Sequence, residues 1–273
     1  MNFLAIFWIP VLTLGLLVCN IFQIFGFLFF LPPWKRPWYR RISNYWYSLL
    51  DFSLIRTLGC EIEEFGDEFP EENAFVICNH QAMADIPVII HLSKKCSRTG
   101  DLKWFAKSQL KWVPGLGWGL QFLDCLFLDR SWASDRRKIE KVFHRLRESA
   151  APFWIVSFLE GTRANPRKIK ENEVFAARKG WRPLQHLLFP RSKGFQATLE
   201  GMPSVQAVNI VTIFYVEGPP SLMGLFFRPT KIRVLKKRYT SWPKDEADQP
   251  DWIRERFYEM DEFLGKQKTL NKK

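Results

Sequence analysis

From Met1 to Trp34 the chain carries no charged side chain, and most of that length reads FLAIFWIPVLTLGLLVCNIFQIFGFLFFL. As one helix this run would extend about 51 Å at ~1.5 Å per residue, against a bilayer hydrocarbon thickness of ~30 Å. Pro10, Gly15 and Gly26 offer places to bend, so a tilted span with an interfacial turn and a re-entrant helical hairpin both stay open. A cleaved signal peptide needs a positive n-region and a shorter apolar core, and neither is present. The run is therefore expected to stay as a membrane anchor.

Lys35, Arg36, Arg40 and Arg41 follow directly, interleaved with Trp34, Trp38, Tyr39, Tyr45, Trp46 and Tyr47. Basic flanks stay cytoplasmic and amphipathic rings settle at the headgroups, so the remainder of the chain is expected on the cytoplasmic face. The formal net charge of +12 calls for an anionic partner, either nucleic acid or anionic lipid. The 25 Phe and 12 Trp lean towards a membrane, and the anchor and the acidic turn at Glu63 to Asn73 argue against nucleic acid. The five cysteines, Cys19, Cys60, Cys78, Cys96 and Cys125, form no CxxC pair and read as reduced, buried thiols.

Beyond the anchor, Asn44 to Gly59 is amphipathic and predicts a helix lying near the membrane. An acidic turn is expected from Glu63 to Asn73. Apolar runs at 74–78, 104–106, 125–128, 153–159, 205–215 and 231–235 read as strands. Helical patterns fall at 85–95, 134–150, 169–179, 194–201 and 251–266. This alternation predicts an α/β domain with a mixed, largely parallel central sheet flanked by helices. Residues 1–59 are expected as anchor and interfacial helix, and 60–273 as the catalytic domain. Trp104 to Gly119 lines a tunnel, rests on the membrane or packs as a bent segment, and Ser221 to Phe227 reads as an apolar loop.

There is no GxSxG, HExxH, Walker or GxGxxG motif, and the four scattered histidines make no metal site. The informative segment is Val76-Ile-Cys-Asn-His-Gln-Ala-Met-Ala-Asp85. Here a buried strand ends in a polar turn, where α/β sheets present functional groups. Residues five apart on an ideal helix differ by ~140°, so His80 must lie in the turn with Asp85 folding back from the first helical turn. Asp85 then orients the imidazole through Nδ1 and leaves Nε2 to take a proton. Phe158-Leu-Glu-Gly-Thr-Arg163 follows another strand. Gly161 permits close backbone approach, Arg163 offers a fork for phosphate oxygens, and Glu160 can orient that guanidinium. Phe127-Leu-Asp-Arg130 ends a third strand. The three strand ends are expected to converge on one crevice.

These blocks, in this order, resemble the PlsC-type glycerolipid acyltransferase family of 1-acylglycerol-3-phosphate and lysophospholipid acyltransferases. Asn79, His80 and Asp85 match its NHxxxxD block, Phe127 and Arg130 its FxxR block, and Phe158 to Arg163 its FxEGTR block. Phe189-Pro-Arg-Ser-Lys-Gly-Phe195 resembles the PR(S/T)KGF stretch of a subgroup with lysocardiolipin and lysophosphatidylinositol specificities. The proline usual in the fourth block is missing from Val208 to Ile213. The resemblance implies acyl transfer from an acyl-CoA or acyl-carrier-protein thioester to the hydroxyl of a lysophospholipid, 1-acylglycerol 3-phosphate foremost. It implies His80 and Asp85 as catalytic residues, and Asn79, Arg130, Glu160, Gly161, Thr162, Arg163 and Lys193 as substrate-binding ones, with membrane phospholipids as partners. It calls for no metal and no bound cofactor. A transacylase, a remodelling acyltransferase and a non-catalytic lipid-binding protein on the same fold are the alternatives.

Overall fold

In a computed structural model the described residues are 3–129 and 131–271, so Arg130 lies outside them. The apolar run folds as α1 (Leu4–Phe29) and breaks at Phe30 and Leu31 into α2 (Pro32–Asp51), giving an α-helical hairpin. Two tryptophans of α2 fix it. Trp38 lies against Gly26 and donates its indole N–H to the Phe22 carbonyl at 2.8 Å, while Trp46 donates to that of Leu12 at 3.3 Å. Of the described helices, α1 is the one long and apolar enough to cross a membrane, and it leaves Phe7, Leu14, Ile21, Phe22 and Leu28 exposed. The amphipathic stretch predicted as one helix from Asn44 starts earlier, within α2, and ends in a π-helical turn, Phe52–Thr57.

The domain that follows contains β1 (Cys60–Gly66), β2 (Ala74–Cys78), α3 (Asp85–Lys95), β3 (Leu102–Lys107) and α4 (Leu116–Phe122). Next come β4 (Leu126–Leu128), α5 (Trp132–Glu148), β5 (Trp154–Ser157), α6 (Pro166–Lys179) and α7 (Ser192–Gly201). The chain then runs through β6 (Ala207–Tyr215), α8 (Leu222–Phe227), β7 (Thr230–Tyr239) and α9 (Gln249–Leu270). The strands form one seven-stranded sheet in the order β1-β7-β6-β2-β5-β3-β4. Pairing is parallel throughout except between β6 and β7, so β1 and β7 run against the other five strands.

Residues of β2, β5 and β6 are buried without exception, which is why these strands read as unbroken apolar runs rather than alternating ones. One face of the sheet packs Ala74, Val76, Trp154 and Ile213 against α1, α2, α3 and α8. The other packs Phe75, Ile77, Ile155 and Phe214 against α5, α7 and α9. Deleting one large buried side chain from either layer costs about 3–5 kcal/mol, so each layer contributes heavily to stability.

Two expectations are corrected. The start of the expected acidic turn, Glu63 to Gly66, belongs to strand β1. Its carboxylates meet the basic residues of β7, with Glu63 on Arg233 at 3.1 Å and Glu64 on Lys236 at 2.8 Å. Charge that looks like a solvated turn is neutralised across a parallel pair. Ser221 to Phe227 is not a loop: the Ser221 hydroxyl accepts the Gly224 N–H at 2.9 Å and starts α8, which buries Leu225 and Phe226 in the first core layer.

Candidate active site

The site lies where β2 gives way to α3. At the end of β2, Asn79 continues the sheet with its side chain: its oxygen accepts the Ile213 N–H at 2.8 Å and its amide donates to the Ile213 carbonyl at 3.0 Å. Asn79 is fully buried and both its polar ends are used, so it does not face the crevice as expected of a substrate-binding residue. The Gln81 side chain donates to the same carbonyl at 2.7 Å. This bracing locks the turn to β6.

Within that turn, Asp85 is the first residue of α3 and is wholly buried. One carboxylate oxygen accepts from His80 Nδ1 at 2.9 Å, from the Gln81 N–H at 2.8 Å and from the Ala82 N–H at 3.0 Å. The other accepts from the Tyr215 hydroxyl at 2.8 Å. Four donors on a carboxylate at a helix N-terminus fix its orientation. Burial, then the neighbouring Asp85 charge and its hydrogen bond, hold the Tyr215 phenol well above its ordinary value, so it stays a donor. Tyr215 was not foreseen. It comes from the far end of β6, and its one sequence signal is a polar aromatic ending an otherwise apolar strand.

The His80 ring stacks on Phe158 with centroids 4.2 Å apart and planes 22° from parallel. With Nδ1 held by Asp85, Nε2 has no hydrogen-bonding partner among the described residues, and the side chain is 16% exposed. It is the one imidazole nitrogen here able to exchange a proton with a bound molecule. The neighbouring Cys78 thiol cannot act in its place, because burial and the charges of Asp85 and Glu160 push it well above the usual thiol range.

The loop after β5 closes over His80 from the adjacent strand. The Ala164 N–H donates to the His80 carbonyl at 3.0 Å, and Glu160 accepts the His80 N–H at 2.7 Å. The other oxygen of Glu160 takes the Leu188 N–H at 2.9 Å. Glu160 is therefore a buried brace, not the guanidinium-orienting or substrate-facing group expected. Burial pushes its carboxyl up to about 8 despite the two backbone donors, and the charges of Asp85 and Asp261 add to the rise. The N–H groups of His80, Gln81 and Ala82 all have partners, so none is free to stabilise an oxyanion.

Above this floor the rim is basic. Arg163 is exposed, and the Lys168 ammonium ties the loop together through the Thr162 hydroxyl at 2.7 Å and the Arg163 carbonyl at 3.2 Å. Lys193 lies 5.8 Å from the Trp132 ring, at the start of α5. Arg191, not singled out from sequence, lies against Gly161. The strand end preceding Arg130 is separated from β5 by β3, so it is less close to His80 than the other two ends.

The family model described as Acyltransferase matches residues 61–215, from the second residue of β1 to the end of β6. The chain belongs to the acyltransferase family. This acyltransferase is 30% identical over 265 residues to 1-acyl-sn-glycerol-3-phosphate acyltransferase 2 of Arabidopsis thaliana, covering 92% of its own length and 68% of that protein. It is 27% identical over 272 residues to lysocardiolipin acyltransferase 1 of Gallus gallus, covering 95% and 72%. Its fold is that of PlsC, the 1-acyl-sn-glycerophosphate acyltransferase of Thermotoga maritima, at a TM-score of 0.58 and 16% identity over 96% and 95% of the two chains. It is a PlsC-type glycerolipid O-acyltransferase, with the mixed, mostly parallel sheet and apolar N-terminal helix of that architecture. Among the described residues no cluster of His, Cys, Asp and Glu could hold a metal ion.

Proposed function

We propose that the protein moves a fatty acyl chain from a thioester of CoA or of an acyl carrier protein to the free hydroxyl of 1-acylglycerol 3-phosphate, giving phosphatidic acid. The observation that carries this reading is His80, held at Nδ1 by a buried carboxylate and with no Nε2 partner among the described residues, beneath a basic loop. Nε2 takes the acceptor's hydroxyl proton as its oxygen attacks the thioester carbonyl. The tetrahedral intermediate then expels the thiolate, and the imidazolium returns the proton to the sulfur. Asp85 stabilises the imidazolium between these steps. Arg163, Lys193 and Arg130 attract the acceptor's phosphate, and the exposed face of α1 in the membrane brings the site to its lipid. The basic start of α2 holds the site on the cytoplasmic side.

A second reading is remodelling of a lysophospholipid such as lysocardiolipin. It draws on the Pro190 to Phe195 segment and on the lysocardiolipin acyltransferase relative. One assay separates the readings: purified protein in detergent with labelled acyl-CoA, or with labelled phospholipid as a transacylase control, and a panel of lysolipids. The expected result is transfer to 1-acylglycerol 3-phosphate that His80→Ala abolishes while the thermal transition is kept. A folded His80→Ala chain with wild-type turnover would remove the enzymatic role of this histidine.

A further inference from the structure

Gly161 sits in the turn after β5 with φ +68°, a conformation that favours glycine. Conformation is only half of its reason. A Cβ at this position would come within 3.0 Å of Nε, 3.1 Å of Cζ and 3.2 Å of Cδ of Arg191. The Arg191 side chain therefore occupies the space that the missing side chain leaves. The backbone pins it there too, since the Arg191 N–H donates to the Leu159 carbonyl at 2.9 Å. Glu160 of that turn and Ala164 just beyond it bond the two backbone groups of His80.

No carboxylate among the described residues pairs with Arg191 or with Arg163. The nearest acid in sequence, Glu160, is buried below with both oxygens on backbone N–H groups. Arg191 is exposed, and a guanidinium without a carboxylate partner keeps its N–H groups for a planar, bidentate anion. Two guanidinium groups, Arg163 just after the turn and Arg191 packed against it, suit a dianionic phosphate monoester better than a singly charged diester.

We propose that Arg191 is a phosphate ligand of the acceptor lysophospholipid, seated by Gly161 and acting with Arg163. This rests on the acyl-transfer reading above. Arg191 selects for a monoester headgroup, and Gly161 serves it by keeping its seat empty.

The test compares wild type, Arg191→Ala and Arg191→Lys as full chains in detergent micelles at saturating acyl thioester. Arg191→Ala should raise the acceptor KM for 1-oleoylglycerol 3-phosphate by about 10- to 100-fold, the loss expected of a charge-assisted pair. The effect on kcat and on the thioester KM should be far smaller, and Arg191→Lys should recover only part of the loss, because an ammonium cannot reproduce the fork. The preference for monoester over diester lysolipids should fall in parallel. An acceptor KM within about twofold of wild type in both variants overturns the assignment. Should wild type turn over only a diester lysolipid, the acceptor reading fails and the monoester selectivity with it. Arg191 as a phosphate ligand is then judged by the same KM ratio on that lipid. A turnover-free measurement keeps the two apart. In a His80→Ala background, calorimetric binding of a short-chain lysophosphatidate should weaken when Arg191→Ala is added, and equal affinities refute the proposal.

Discussion

Asp85→Asn is the substitution that isolates what the buried carboxylate does. The native group accepts four hydrogen bonds: three on one oxygen, from His80 Nδ1 and the Gln81 and Ala82 N–H groups, and one on the other, from Tyr215. An asparagine with its oxygen in the first position keeps all three of those donors and hence the His80 tautomer. Its amide then faces the Tyr215 oxygen, and a hydroxyl can rotate to accept instead of donate. Geometry survives, and the charge alone is lost. A carboxylate at this distance typically favours an imidazolium by about 1.4–4 kcal/mol, so kcat should fall about 10- to 1000-fold, less than in His80→Ala. Asp85→Ala could not show this, because each buried donor left without a partner costs about 1–3 kcal/mol and the turn itself would loosen. The assay is acyl transfer to 1-acylglycerol 3-phosphate at saturating substrates, with a thermal melt beside it. An Asp85→Asn enzyme with a normal melt and turnover within about threefold of wild type would refute the charge argument.

Glu160 gives a pH-dependent prediction. Its carboxyl is raised from 4.5 to about 8, so between those values the native state keeps a proton that the unfolded chain has released. Its contribution to stability is whole below about 4.5 and is lost as pH rises towards 8, at up to about 1.4 kcal/mol per pH unit. Urea midpoints should therefore decline more steeply from pH 5 to 8 in wild type than in Glu160→Gln, and parallel profiles would show that the group is not raised. In the helical hairpin, Gly26→Ala drives a methyl group into the Trp38 ring. Overpacking of this kind costs about 1–3 kcal/mol and should outweigh the better helix propensity of alanine. The melt in detergent should fall by several degrees, and a rise would show that α2 does not pack on α1 as described.

What could be read from the chain, and what could not, divides by the range of the contact. The His80–Asp85 bond spans five residues, so the angular period of a helix was enough to require a turn at His80. Central strands were legible because β2, β5 and β6 are covered on both faces and become uninterrupted apolar runs. β1 was not, since its glutamates look solvated until β7 supplies their cations from roughly 170 residues away. The same distinction governs the site. Tyr215 reaches Asp85 only because the sheet order sets β6 beside β2, and Asn79 is drawn away from any substrate by the same neighbour. Glu160 read as a guanidinium-orienting, substrate-binding acid because its partners at His80 and Leu188 lie 80 and 28 residues away. Gly161 read as room for a ligand, and the room is filled by Arg191. In each case the residue type was visible and its partner was not. A strand-end motif names the atoms able to do chemistry, and strand order decides which of them stay free to do it.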